Sequence, residues 1–200
     1  MERTYTKDVT VDKPVLLKGW VHDVRVLGGI SFLVLRDGHG TVQVTAPKGK
    51  VPEKVAETIQ KLHQEDLIEV KGTGAKSRAK NIAVEVIPES ITVLNRSETP
   101  LPLDPRRVTK ANLDTRLDWR VLDLRSPENL AVFKIQAKLI EGMEEYLRKN
   151  GFVQVFTPSL LGGTSEGGSE VFPVVYFDKE AYLRQDPQLH RELLIAAGFD

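Results

Sequence analysis

Cysteine is absent from these 200 residues, which excludes disulfides and thiolate metal sites outright. The four histidines, His22, His39, His63 and His190, show no metal-ligand spacing. Net charge is absent as well, 28 basic residues balancing 28 acidic ones. A chain without basic excess does not coat nucleic acid wholesale, so any RNA contact must come from a local patch. No apolar run approaches membrane-spanning length, and the opening MERTYTKDVTVDK is charged and lacks the apolar core of a leader. A soluble, cytoplasmic protein with no membrane partner is expected. The length allows one large domain or two small ones.

What is present is concentrated between Gly19 and Thr45, where three successive strands are expected. Leu33 and Leu35 alternate with Phe32, Val34 and Arg36. Across a Gly38-His39-Gly40 turn, Val42 and Val44 alternate with Thr41, Gln43 and Thr45. Such alternation around a glycine turn predicts a half-buried antiparallel hairpin. Its aliphatic face should line a core. The other face carries Phe32, Arg36 and Gln43, a ring to stack on a base, a cation for phosphate and an amide to read a base edge. A barrel that merely exposes one Phe fits the same pattern.

The rest of the first half fits around this hairpin. Met1–Lys13 is a polar lead-in, and Val15–Asp23 is the first strand. Pro52 opens a helix through Gln64, with Val55, Ile59 and Leu62 on one face. Leu67–Gly72 and Ile82–Ile87 are further strands, separated by the basic segment Lys76–Lys80. Five strands with a helix between the third and fourth is the layout of an OB-fold barrel.

Pro100, Pro102 and Pro105 then mark an extended linker. The following segment mixes both signs, with Arg106, Arg107, Arg116 and Arg120 among them. A solvated hinge and a hinge whose arginines touch RNA are equally compatible with that pattern. Ser126-Pro127 caps a long helix that carries Leu130, Phe133, Ala137, Ile140 and Leu147 on one face and stops at Asn150-Gly151. A strand is expected at Phe152–Phe156, then a mobile glycine-rich loop at Leu161–Glu170 holding Glu166 and Glu170. Two strands, Val174–Phe177 and Ala181–Gln185, and a helix from Pro187 complete the chain. The fold class is α+β: an all-β barrel over 1–104, a hinge over 105–125, and an α/β unit over 126–200.

Five stretches, in order, resemble the class II aminoacyl-tRNA synthetases of the aspartate, asparagine and lysine group, aspartyl-type above all. GWVHDVRVLGGISFLVLRD is similar to that family's anticodon-binding OB-fold. LPLD with LDTRLDWRVLDLR is similar to its hinge, although Trp119 stands where Asn is usual. GFVQVFTPSLL, with Pro158, resembles motif 1 of the dimer interface. TSEGGSEVFPVVYF resembles the loop that closes over bound aspartate, and QDPQLHRELLIAAGFD a substrate-binding segment. Within that segment Asp186 replaces Ser, His190 replaces Tyr and Arg191 replaces Lys.

The resemblance implies anticodon contacts at Arg25, Phe32 and Gln43. It makes His22 and Lys80 determinants of whether tRNA(Asn) is accepted beside tRNA(Asp), with His22 of the relaxed type and Lys80 of the strict one. It implies that Glu166 holds the α-amino group of aspartate, that Gln188 helps to position it, and that Arg191 pairs with its side-chain carboxylate. ATP and Mg²⁺ are implied for the complete, homodimeric enzyme. The arginines of motifs 2 and 3 that hold ATP have no counterpart in these 200 residues, so no catalytic group, metal site or ATP site is expected here. Two alternatives stay open: a stand-alone RNA-binding module, and an asparagine- or lysine-specific relative. The PQL triplet at 187–189 speaks against the asparagine enzyme.

Overall fold

Alternation closes into a barrel in the first half of the chain. The computed structural model describes residues 2–79, 81–108, 110–163 and 171–199. Five strands, β1 (Pro14–Leu27), β2 (Ile30–Arg36), β3 (Thr41–Pro47), β4 (Leu67–Lys76) and β5 (Val84–Asn95), close in the order β1-β2-β3-β5-β4. Only β3 and β5 run parallel. Helix α1 (Glu53–Gln60) joins β3 to β4, which completes the OB-fold layout. Leu33, Leu35 and Val44 are fully buried and Val42 nearly so, together with Val21, Ile68 and Val86 from the other strands. Val55 and Ile59, one helical turn apart, plug the barrel from α1.

Several boundaries differ from the sequence expectation. Strand β1 runs four residues past Asp23, and β5 reaches Asn95 although Pro88 interrupts its pattern. Register shifts opposite Lys71/Gly72 and Leu67/Ile68 absorb the extra residues of β5 and bend it around the barrel. A Cβ on Gly72 would lie 2.3 Å from the Ile87 carbonyl oxygen, so the backbones pinch together there and only glycine fits. Pro52 is the N-cap of α1 and not its first helical residue. The lead-in is fixed to the barrel, because Asp37 accepts hydrogen bonds from the Thr6 amide (2.8 Å) and hydroxyl (2.6 Å).

Asp66 ties the end of the barrel together. Its carboxylate is fully buried and accepts from the amides of His63 (2.9 Å) and Ser97 (2.8 Å) and from Arg96 Nη1 (2.7 Å). Burial pushes its pKa up, but these donors outweigh burial and hold it below the ordinary carboxylate value. Asp66→Asn removes the charge and turns an NH₂ group towards N–H donors. A loss of about 2–3 kcal/mol is expected in urea unfolding at pH 7. A folded-state pKa below the unfolded one gives stability that is present above the unfolded value and lost as pH falls through the folded one. The wild type should therefore lose this contribution below about pH 4. The gap between the two proteins should narrow there, and a gap constant from pH 7 to pH 3 contradicts the assignment.

Within the predicted hinge two short helices, α2 (Leu113–Asp118) and α3 (Arg120–Asp123), follow one another with Trp119 between them. The two carboxylate oxygens of Asp123 accept from Arg116 Nε (2.8 Å) and from Arg120 Nη1. Contacts divide the described chain into two units, residues 1–123 and 124–200.

In the second unit, α4 (Pro127–Lys149) begins at the expected Ser126-Pro127 and ends before Gly151, whose φ of +88° suits glycine. Ser126 Oγ donates to Glu128 Oε2 (2.6 Å) and makes no side-chain bond to the helix backbone. A three-stranded sheet has the order β6 (Leu160–Leu161), β8 (Lys179–Leu183), β7 (Phe172–Tyr176). Helix α5 (Gln188–Ala196) follows. Phe152–Phe156, expected as a strand, pairs with no strand among the described residues, since a β-rich composition without a neighbour supplies no ladder. Glu166 and Glu170, and Lys80 in the first unit, lie outside the described residues. None of the described helices is long and apolar enough to cross a membrane.

Candidate nucleic-acid interface

The outer face of β1, β2 and β3 brings the selected residues into two adjoining rows. Arg25 pairs with Phe32, and Phe32 with Thr45. Asp23 pairs with Val34, Val34 with Gln43, and Gln43 with Glu85 across the parallel junction. Phe32 is half-buried, so its ring is supported at the edges and not swallowed by the core. The Arg25 side chain is 72% exposed, and its Nε donates to Asp23 Oδ2 (2.8 Å). That bond fixes the guanidinium plane and leaves the two Nη groups without a partner among the described residues.

Gln43 is oriented by what lies beneath it. Its Nε2 donates to Glu85 Oε2 (3.0 Å) and to Thr45 Oγ1 (3.1 Å). The same Glu85 oxygen accepts from Thr45 (2.8 Å) and Ser77 (3.2 Å). With the nitrogen committed, the amide oxygen is left as an acceptor, with no partner among the described residues. A ring, a guanidinium fork and a fixed acceptor side by side can stack a base, hold a phosphate and read an N–H edge.

Arg36 does not join them as a phosphate cation, contrary to the alternation. Its side chain is 6% exposed, and Nη2 donates to Glu65 Oε2 at 2.8 Å. Nη1 lies 2.9 Å from His22 Nδ1, and the guanidinium carbon sits 5.8 Å from the Trp20 ring centroid. Asp23 is engaged by a second cation, because Arg106 Nη1 donates to its Oδ1 at 2.9 Å. Arg106 also pairs with Asp104, which ties the start of the predicted hinge to the barrel face. This arginine was one of a mixed run in the sequence, and only a contact across 83 residues singles it out.

The substrate-type residues lie in the second unit. Gln188 opens α5 and donates to Glu192 Oε1 (2.8 Å) one turn on. Arg191 lines a cleft of about 530 Å³ with Leu147, Phe152, Val155, Leu194 and Phe199. The two share one helix, while Glu166 lies outside the described residues, so the set of three is not seen together. Asp186 and Trp119 are exposed. The Pro158 carbonyl and the Thr157 hydroxyl both accept from Arg184, which anchors the motif 1-like segment to the end of β8.

Residues 15–94 match the family of OB-fold nucleic acid binding domains, and residues 112–200 the class II tRNA synthetases of the D, K and N group. The whole chain aligns at 49% identity with the aspartate–tRNA(Asp/Asn) ligase of Methanopyrus kandleri, covering 47% of that protein. It also aligns along its whole length at 44% identity with the aspartate–tRNA(Asp) ligase of Thermococcus kodakarensis, again over 47% of the relative. Among solved structures, asparaginyl-tRNA synthetase from Pyrococcus horikoshii complexed with asparaginyl-adenylate superposes with a TM-score of 0.86 at 36% identity. All of this chain and 46% of that one are covered. The chain thus spans about half the length of the relatives it matches. The barrel and both matched segments agree: the chain belongs to the class II tRNA synthetases of the D, K and N group, as the counterpart of the amino-terminal portion of the archaeal aspartate–tRNA ligases.

Proposed function

We propose that the protein carrying this chain is an aspartate–tRNA ligase, and that residues 1–104 are its anticodon-binding domain. The observation that carries the RNA-binding part is the cross-strand pair of Arg25 and Phe32 beside Gln43, whose amide nitrogen is held by Glu85 and whose amide oxygen is left as an acceptor. Alignment of the whole chain at 49% identity with a ligase for aspartate, against 36% with the asparagine-type structure, favours aspartate as the amino acid.

In the proposed reaction an oxygen of the aspartate α-carboxylate bonds to the α-phosphorus of ATP, and pyrophosphate leaves. A terminal ribose hydroxyl of tRNA then attacks the acyl carbon, and AMP leaves. Gln188 and Arg191 on α5, with Glu166, are the residues proposed to receive aspartate, the carboxylate for the ammonium group and the guanidinium for the side chain. In the complete, dimeric enzyme ATP would be the second substrate, and Mg²⁺ would supply charge stabilisation of the phosphoryl transfer. The described residues hold no cluster of three metal-ligating groups, and no step here is assigned through Mg²⁺.

Aspartate-dependent ATP–pyrophosphate exchange by the full-length protein tests the activity, and its failure would leave the RNA-binding module as the better reading. His22 sits on the exposed side of the bulged strand β1 and is of the relaxed type, whereas Lys80 is of the strict type. We place more weight on His22, so transcripts of tRNA(Asp) and tRNA(Asn) should be charged with kcat/KM values within about tenfold of each other. A preference for tRNA(Asp) of a hundredfold or more would give Lys80 the deciding role instead.

A further inference from the structure

His22 occupies a position that strand alternation alone does not explain. In the β1–β2 ladder Val21 faces Leu35 and the next paired residue, Asp23, faces Val34, so His22 is the extra residue of a β-bulge. A bulge bends the strand locally and re-aims a side chain. Val21 remains fully buried, while His22 turns to the side that carries Asp23, Arg25 and Phe32 and meets Arg36.

The partner arrangement is asymmetric. An arginine is a donor only and keeps its charge throughout the accessible pH range. At 2.9 Å from Arg36 Nη1, His22 Nδ1 must therefore be the acceptor, and the ring proton must sit on Nε2. Arg36 is held from behind by Glu65, whose side chain is 1% exposed. Glu65 itself has φ +68°, a left-handed conformation seldom adopted by residues other than glycine. Its amide donates to the Val21 carbonyl (2.8 Å), and the Val21 amide donates to the Asp66 carbonyl (2.9 Å). The loop carrying Glu65 is thus stitched to the strand at the residue before the bulge. Backbone strain held in place beside a half-buried side chain on the outer face is the pattern of a positioned group.

We infer that Arg36 and Glu65 are positioning residues that hold His22 as a neutral imidazole with its proton on Nε2, so that position 22 offers the nucleic acid a hydrogen-bond donor and not a cation. This deepens the proposed RNA-binding role of the face and rests on it. A fixed donor selects among acceptor edges of a base, whereas an imidazolium attracts any phosphate. The charged groups around the ring are Arg36 from β2, Glu65 from the loop before β4, Arg106 from the segment after the barrel and Asp23 from β1. Burial and the two arginines lower the histidine pKa, Glu65 and Asp23 raise it, and the net direction is down, in keeping with the geometry.

The test uses the 200-residue chain with ¹⁵N-labelled imidazoles, the signal of His22 being identified by its loss in His22→Gln. In the wild type His22 should show a protonated Nε2 and an unprotonated Nδ1 at pH 7.5, and should take up a second proton only below the ordinary histidine value of about 6.5, without RNA. In Arg36→Met/Glu65→Gln, which removes both members of the buried pair together, the donor that keeps Nδ1 unprotonated is lost, and His22 should take up its second proton at a higher pH than in the wild type. Arg36→Lys, which keeps a donor and a charge, should keep the ring neutral. Affinity for an RNA stem-loop of the tRNA(Asp) anticodon arm should change little with pH in the wild type. In the double variant it should rise about two- to fivefold from pH 7.5 to pH 5.5, the strength of one exposed ion pair.

A wild-type His22 that titrates near its ordinary value overturns the inference whatever RNA does. So does a folded double variant whose ring takes up its second proton at no higher pH than the wild type. If the stem-loop does not bind while the two titrations behave as stated, the positioning of His22 stands and the RNA-binding reading of the face is the one that falls. Should the double variant not fold, the wild-type titration decides alone.

Discussion

Replacing Phe32 by alanine should weaken binding of the anticodon stem-loop by about ten- to a hundredfold, the loss of one base stack at roughly 1–3 kcal/mol. The residue is suited to this because of where the barrel leaves it. Leu33 and Leu35, on the opposite face of the strand, are fully buried, so the hairpin is held from beneath, while Phe32 lies on the outer face between Arg25 and Thr45. Its truncation opens no core cavity but gives up partial burial of the ring, so stability should fall by no more than about 1–1.5 kcal/mol. Binding and folding are thereby separable at this position. Fluorescence titration of the stem-loop into both proteins, with urea unfolding as the control, makes the comparison. Equal affinities would remove Phe32 from the interface, and a loss of affinity accompanied by a large loss of stability would make its role structural.

Phe32 and Gln43 were accessible to sequence reasoning because period-two alternation reports which face a residue is on, and both strands of the hairpin keep that period without interruption. The same reasoning misplaced Arg36. Alternation assigns a face but does not report whether a distant loop folds over it, and Glu65, 29 residues later, does so. The bulge at His22 is invisible for a related reason. One extra residue leaves no trace in a pattern until the partner strand is known. Glu85, which orients Gln43 across a parallel junction, comes from 42 residues away and from a strand whose length the sequence understated. Turn chemistry explains that shortfall. Pro88-Glu89-Ser90 has the composition of a turn, yet β5 passes through it because the register shifts against β4 take up the irregularity. Local signals thus located the surface, and the contacts that tune it are long-range.

The second unit, residues 124–200, should exchange its amide hydrogens faster than the barrel strands by about a thousandfold or more, the difference between local opening and a global unfolding free energy of at least roughly 5 kcal/mol. The burial pattern is the reason. Among the described residues, every well-buried aliphatic side chain belongs to the first unit except Ala181. Helix α4 has none, although Leu130, Phe133, Ala137, Ile140 and Leu147 form the apolar face expected of it. Phe156, Val175 and Phe177 are 85–89% exposed, and the β-rich segment Phe152–Phe156 has no strand beside it. Ion pairs along α4, such as Arg148 with Glu144 at 3.2 Å, are exposed and contribute tenths of a kcal/mol each. About 75 residues with so little buried apolar surface are at the lower limit for an independent core. The chemistry follows from the packing. Adenylate formation needs cations and amides held in place around a phosphoryl centre, and groups on a loosely packed unit are not preorganised. Arg191 is exposed on α5, beside a largely apolar cleft. The purified 200-residue chain should accordingly show no aspartate-dependent ATP–pyrophosphate exchange while still binding the stem-loop through its barrel. Exchange mass spectrometry with equal protection in both units would contradict the first expectation. Pyrophosphate exchange above the aspartate-free background would contradict the second, since it would require a formed active site within residues 124–200.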